Sequence, residues 1–108
     1  MKAVLLLSSE RMGEGDPDLG SRILKTFLQK SIALRDLDAI LFYNSGVKLT
    51  GEGSHVLGEL TMLEESGVDV VPCGTCLQHY GVEPAVGSVG SMDGIVKALG
   101  DAEKVIRI

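Results

Sequence analysis

The chain holds two cysteines among its 108 residues, and both fall in one turn, Val70-Val71-Pro72-Cys73-Gly74-Thr75-Cys76-Leu77-Gln78-His79-Tyr80. An apolar strand runs out at Pro72 and a short helix follows. Amide N–H groups at a helix N-terminus lack intrahelical partners and favour an anion, so a thiolate placed there has a lowered pKa. Cys73 and Cys76 also stand close enough for a local disulfide. A nucleophilic thiol with a resolving thiol beside it is what persulfide or disulfide exchange requires. Blander alternatives stand beside this one: Cys73 as a small buried hydrophobe and Cys76 as an ordinary helix residue. A zinc site would draw on Cys73, Cys76 and His79, with only His55 in reserve, unless subunits shared it. His79 stands one turn along the helix from Cys76 and can assist proton transfer, or is an exposed histidine without a role. Tyr80 either offers its hydroxyl to the site or packs at the core edge.

A second segment, residues 42–54, carries further polar chemistry. Asn44, Ser45 and Gly46 follow a strand and can direct backbone amides into a crevice, with Lys48 as the nearest cation. Lys48 would lower a thiol pKa or hold an anionic sulfur species; otherwise it is a solvated loop lysine. The glycine-rich loop at 8–16 fits no phosphate motif. It lacks the Lys-Ser/Thr pair of a P-loop, its glycine spacing is not that of a dinucleotide fingerprint, and Glu10 and Glu14 would repel phosphate. A lid over the site remains open to it.

The elements that must position these residues are short. Continuous apolar runs at 3–7, 39–43, 68–71 and 105–108 read as strands buried on both faces, and residues 85–89 as a fifth. A helix opens at Asp16-Pro17-Asp18 and carries the stripe Leu19, Ile23, Leu24, Phe27, Leu28 and Ile32. Another starts near Ser54 and closes at Gly67, and a third is capped by Ser91 and stopped by Gly100. Strand–helix alternation with short connections predicts a three-layer α/β sandwich with a mostly parallel sheet of about five strands, in one domain spanning residues 1–108. Ligands of such folds bind beyond the carboxyl ends of the strands, where both cysteines and Asn44 fall.

Composition narrows the function classes. Aromatic residues make up 4% of the chain and Trp is absent, so the core is aliphatic and no base-stacking platform is expected. The net charge is −5, and residues 51–108 carry 3 basic against 9 acidic side chains. That balance lacks the basic footprint of a nucleic-acid partner. The apolar run at 3–7 is too short for a signal peptide or a membrane span, so a cytoplasmic protein without membrane contact is expected.

Asn44-Ser45-Gly46-Val47-Lys48-Leu49 and Cys73-Gly74-Thr75-Cys76-Leu77 together resemble the DsrE-like domain of YedF-type selenium-metabolism proteins, within the wider DsrE/DsrF sulfur-relay family. The likeness extends through Gly87-Ser88-Val89 and Met92 to Lys104-Val105-Ile106-Arg107-Ile108. It implies a flavodoxin-like, DsrE-like fold, often assembled as homo-oligomers, and a sulfur-carrier or sulfurtransferase-type role; the relay chemistry requires no organic cofactor, and no metal is expected. In that family a cysteine at a strand end accepts sulfur as a persulfide, a position that falls on Cys73, with Cys76 as the resolving or second carrier thiol. Asn44, Lys48 and the amides around Gly74, Thr75 and Cys76 would stabilise the anionic sulfur, with Ser45, Gly46 and His79 completing the substrate-binding set. Gln78 and His79 stand where the family carries an acidic residue and an aromatic, and Ser91 and Asp93 replace Asn and Tyr. YedF-type proteins commonly carry a TusA-like domain that this sequence lacks, so the expected donor and acceptor are separate proteins of TusA-like or cysteine-desulfurase type. Two functions of other classes remain: a non-catalytic oligomeric module for a small ligand, and a thiol–disulfide switch.

Overall fold

The computed structural model describes residues 2–108. Its strands β1 (Ala3–Leu7), β2 (Leu37–Phe42), β3 (Asp69–Pro72) and β4 (Lys104–Arg107) form one sheet in the order β3-β2-β1-β4, and every pairing is parallel. The chain steps from β1 through α1 (Pro17–Lys30) to β2, and through α2 (Leu57–Glu65) to β3. It then returns across the sheet to β4 by way of α3 (Gly74–Tyr80) and α4 (Met92–Asp101). Right-handed crossovers put α1 and α2 on one face; the last step reverses direction, so α3 and α4 lie on the other. The expected three-layer α/β plan is therefore present, with strands ordered as in the opening half of a dinucleotide-binding sheet and not as in flavodoxin itself.

Local chemistry accounts for most boundaries. All five residues of β1 are buried, which only an unbroken apolar run tolerates. The Leu19 N–H donates to Asp16 Oδ1 at 3.0 Å, capping α1 just before Pro17, and the Gly94 N–H donates to Ser91 Oγ at 3.1 Å at the start of α4. Such caps contribute about 1 kcal/mol each. Leu24 and Leu28 turn the apolar stripe of α1 into the core, while Leu19, Ile23 and Ile32 stay exposed.

Several expectations need correcting. The sheet has four strands, not about five, among the described residues. Residues 85–89 form an irregular strap along the outer edge of β3. The Ala85 N–H donates to the Thr50 carbonyl, whereas those of Ser88 and Gly90 donate to the Val70 and Pro72 carbonyls. Gly87, at φ +86°, turns the chain between those anchors and interrupts the regular backbone a strand would need. Residues 54–56 lie outside any helix, with α2 beginning at Leu57, and Gly100 lies inside the last turn of α4. There Ala102 becomes extended and the N–H groups of Glu103 and Lys104 reach the Lys2 carbonyl. β4 is an edge strand, with Val105 44% exposed, so the rule of burial on both faces fails at that end.

Candidate functional site

β2 and β3 are neighbours, so the segments leaving their carboxyl ends emerge side by side. After Phe42, Tyr43 leads into a 3₁₀ segment, Asn44–Thr50. After Pro72, Cys73 takes the N-cap position of α3. The Cys73 N–H continues the sheet ladder to the Phe42 carbonyl at 3.0 Å, and the neighbouring Gly74 N–H donates to the Gly90 carbonyl at 2.8 Å. Close backbone approach makes this possible. A side chain at Gly90 would strike Val71, and one at Gly46 would strike the Leu7 carbonyl where the 3₁₀ segment crosses β1. Gly46 thus lets the Asn44 loop seat itself on the sheet.

The two thiols are free and differently placed. Cys73 is 1% exposed and belongs to the apolar core. Cys76, one turn along α3, is half-buried and lines an open cleft of about 440 Å³ with Tyr43, Asn44, Thr75, His79, Tyr80 and Met92. The Asn44 N–H donates to Cys76 Sγ at 3.1 Å. Asn44 holds φ +52°, a left-handed conformation that asparagine tolerates better than most residues, and the Tyr80 hydroxyl donates to its Oδ1 at 2.6 Å. One face of the Tyr80 ring carries the Lys48 ammonium 4.7 Å from its centroid, and the His79 ring meets it edge-on at 4.9 Å.

These contacts set the thiols apart electrically. Burial pushes Cys73 up, but hydrogen bonds from the backbone N–H and side chain of Cys76, and from those of Thr75, together outweigh it and hold the thiol below its ordinary value. Burial also pushes Cys76 up. The Asn44 N–H pulls it back, yet its side-chain hydrogen bond to Cys73 and the charge on that sulfur leave it above the ordinary value. The two thiols titrate as a coupled pair, with Cys73 held below the ordinary thiol value and Cys76 above it.

Of the residues singled out in the sequence, Asn44, Thr75, Cys76 and His79 meet in the cleft, and Cys73 lies behind them. Ser45 and Gly46 are not among the cleft's lining residues, and Gly46 is buried against β1. Gly74 packs beside Val89 and Gly90. Lys48 points to the Tyr80 ring and to Glu10, 3.7 Å from its carboxylate, and contributes to neither thiol shift. Tyr43, Tyr80 and Met92 also line the cleft. Tyr80, offered by the sequence either to the site or to the core edge, turns its hydroxyl to Asn44 at the cleft; Tyr43 and Met92 carried no such signal. Among the described residues no group of three or more His, Cys, Asp or Glu side chains is placed to hold a metal ion, and no helix is long and apolar enough to cross a membrane. A second groove, between α1 and α2, is apolar, and its polar members Gln29 and Glu59 hydrogen-bond each other at 3.2 Å.

The fold has relatives of known structure. The protein of unknown function MTH1491 from Methanobacterium thermoautotrophicum superposes with a TM-score of 0.74 at 19% identity, over 99% of this chain and 98% of its own. The ychN protein from E. coli gives 0.66 at 20% identity over the whole of both chains. The protein of unknown function BT1422 from Bacteroides thetaiotaomicron gives 0.66 at 20% identity, over 99% of this chain and 95% of its own. A comparison with curated proteins finds no significant match. Residues 1–108 match one family along their whole length, and the chain belongs to the DsrE/DsrF-like family.

Proposed function

We propose that the protein is a sulfur carrier that holds sulfane sulfur as a cysteine persulfide on the Cys73–Cys76 pair and passes it to a partner protein. The observation that carries this proposal is the pairing itself: two free thiols one helical turn apart at a strand end, one buried and one facing an open cleft. Membership of a family associated with sulfur relay supports it. A purely structural cysteine needs neither an amide donor on its sulfur nor a cleft before it, and Cys76 has both.

The chemistry asks little else of the chain. A thiolate attacks the outer sulfur of a donor persulfide, the donor leaves as a thiolate, and the sulfur–sulfur bond is re-formed on this protein with no net oxidation. The backbone at the start of α3, which lowers the Cys73 thiol, and the Asn44 N–H on Cys76 favour the anionic sulfurs between transfers. No organic cofactor takes part. Donor and acceptor are proteins that carry a cysteine persulfide, of TusA-like or cysteine-desulfurase type, in a reducing cytoplasm. The narrower kinship with YedF-type proteins rests on the motifs at residues 44–49 and 73–77, and selenium in place of sulfur belongs to the same proposal. Self-association is part of it too, and sedimentation of the purified protein tests that.

Intact mass after incubation with glutathione persulfide tests the function. A carrier gains about 32 Da, and the Cys73→Ser/Cys76→Ser double variant gains nothing. A wild-type protein that stays at its own mass is not a carrier. A loss of about 2 Da without an adduct identifies a thiol–disulfide switch, which two free thiols one helical turn apart also permit.

A further inference from the structure

Resting on the sulfur-carrier proposal, the geometry points to Cys76, and not the strand-end Cys73, as the thiol that meets the incoming persulfide, with Cys73 receiving the sulfur second. Thiol exchange is a displacement at sulfur and depends on access as much as on nucleophilicity. A donor persulfide must bring its own sulfur–sulfur bond and the carrier behind it up to the attacking thiolate. Cys73, 1% exposed and absent from the cleft wall, offers no such approach. Cys76 stands in that wall, in a cleft large enough for a persulfide and the side chain bearing it.

The cleft side is also built around Cys76. Its sulfur accepts the Asn44 N–H, Asn44 is held at positive φ, and Tyr80 fixes the Asn44 side chain through its hydroxyl. No part of this chain of contacts is directed at Cys73. Tyr80 is accordingly a positioning residue: it touches no reacting atom and acts through Asn44.

The transfer proceeds in two balanced steps. The Cys76 thiolate attacks the terminal sulfur of the donor persulfide; a sulfur–sulfur bond forms to Cys76, the donor's own breaks, and the donor thiolate takes up the proton that Cys76 lost to solvent. The Cys73 thiolate, one turn back at the N-cap of α3, then attacks the terminal sulfur, and Cys76 leaves as a thiolate. Neither step consumes an oxidant or a reductant.

The test follows the rate of sulfur loading from glutathione persulfide by intact mass, with peptide mapping after thiol blocking. Cys73→Ser retains an N-cap-compatible residue and is expected to load Cys76 within about threefold of the wild-type rate, whereas Cys76→Ser is expected to load Cys73 at least about tenfold more slowly. Tyr80→Phe is expected to slow loading severalfold and to move the pH profile of Cys76 alkylation to higher pH, a change that lost packing alone would not cause. Wild-type loading by Cys76→Ser overturns the assignment, as does a folded Cys73→Ser that fails to load. A wild-type protein that never gains sulfur removes the carrier proposal itself, a result separate from either variant outcome.

Discussion

Cys73 and Cys76 are three residues apart and occupy opposite surroundings. Cys73 closes the end of β3 under a backbone network formed by Phe42, Gly74 and Gly90, with its side chain in the core. Cys76 faces a cleft, and side-chain contacts running from Lys48 and Tyr80 to Asn44 hold its one amide donor in place. The first environment is enclosed by main chain tied to the sheet. The second rests on loops and exposed side chains, and it is the one that can open to a partner. Proximity in sequence therefore says little about equivalence: the better-stabilised thiolate is the less accessible one.

Enlarging each thiol in turn presses hardest on that contrast. Cys73→Leu overpacks a filled core and is expected to cost about 1–3 kcal/mol. Cys76 is half-buried at the cleft, so Cys76→Leu should cost less, about 1 kcal/mol for the lost hydrogen bond from the Asn44 N–H. Urea denaturation of both variants measures the difference, and equal losses would erase the distinction between the two sites.

Tyr80→Phe removes one exposed hydrogen bond and should cost at most about 1 kcal/mol by the same measurement. Its second effect is directional. Without Tyr80 the Asn44 N–H is less well held on Cys76 Sγ, so the thiolate loses stabilisation and alkylation of Cys76 shifts to higher pH. Cys73→Ser should shift it the other way, because the neighbouring thiolate that opposes ionisation of Cys76 is gone. Iodoacetamide labelling across pH with peptide mapping follows both; shifts of one sign in the two variants would contradict the coupling.

Lys48→Met gives the smallest change. Its ion pair with Glu10 joins two side chains about two-fifths exposed, and its cation–π contact is at the surface, so stability should fall by less than about 1 kcal/mol. Alkylation of Cys73 should keep its pH profile, since Lys48 contributes to neither thiol shift. A large upward move of Cys73 would restore the role the sequence suggested for this lysine.

Much of the fold was legible because it follows from local rules. The apolar run of β1, the Asp16 and Ser91 caps, and the turn that holds both cysteines all declare themselves in short stretches of sequence. Residues 85–89 misled because valines among glycines look like a strand, while Gly87 at positive φ and the anchors to Val70, Pro72 and Thr50 are tertiary facts. The exposure of β4 was hidden for a similar reason, since edge and centre strands share one composition until the order of the sheet is known. At the site, spacing identified the cysteine pair but could not rank the thiols, because one step along α3 separates core from cleft. Gly46 likewise reads as a loop glycine until the Leu7 carbonyl is found beneath it.

The first sulfur that the wild-type protein acquires tells the two thiols apart. Short exposure to glutathione persulfide, rapid thiol blocking and peptide mapping should find the earliest adduct of about 32 Da on Cys76, with Cys73 labelled later. Sulfur that arrives on Cys73 first, or never arrives, contradicts the account.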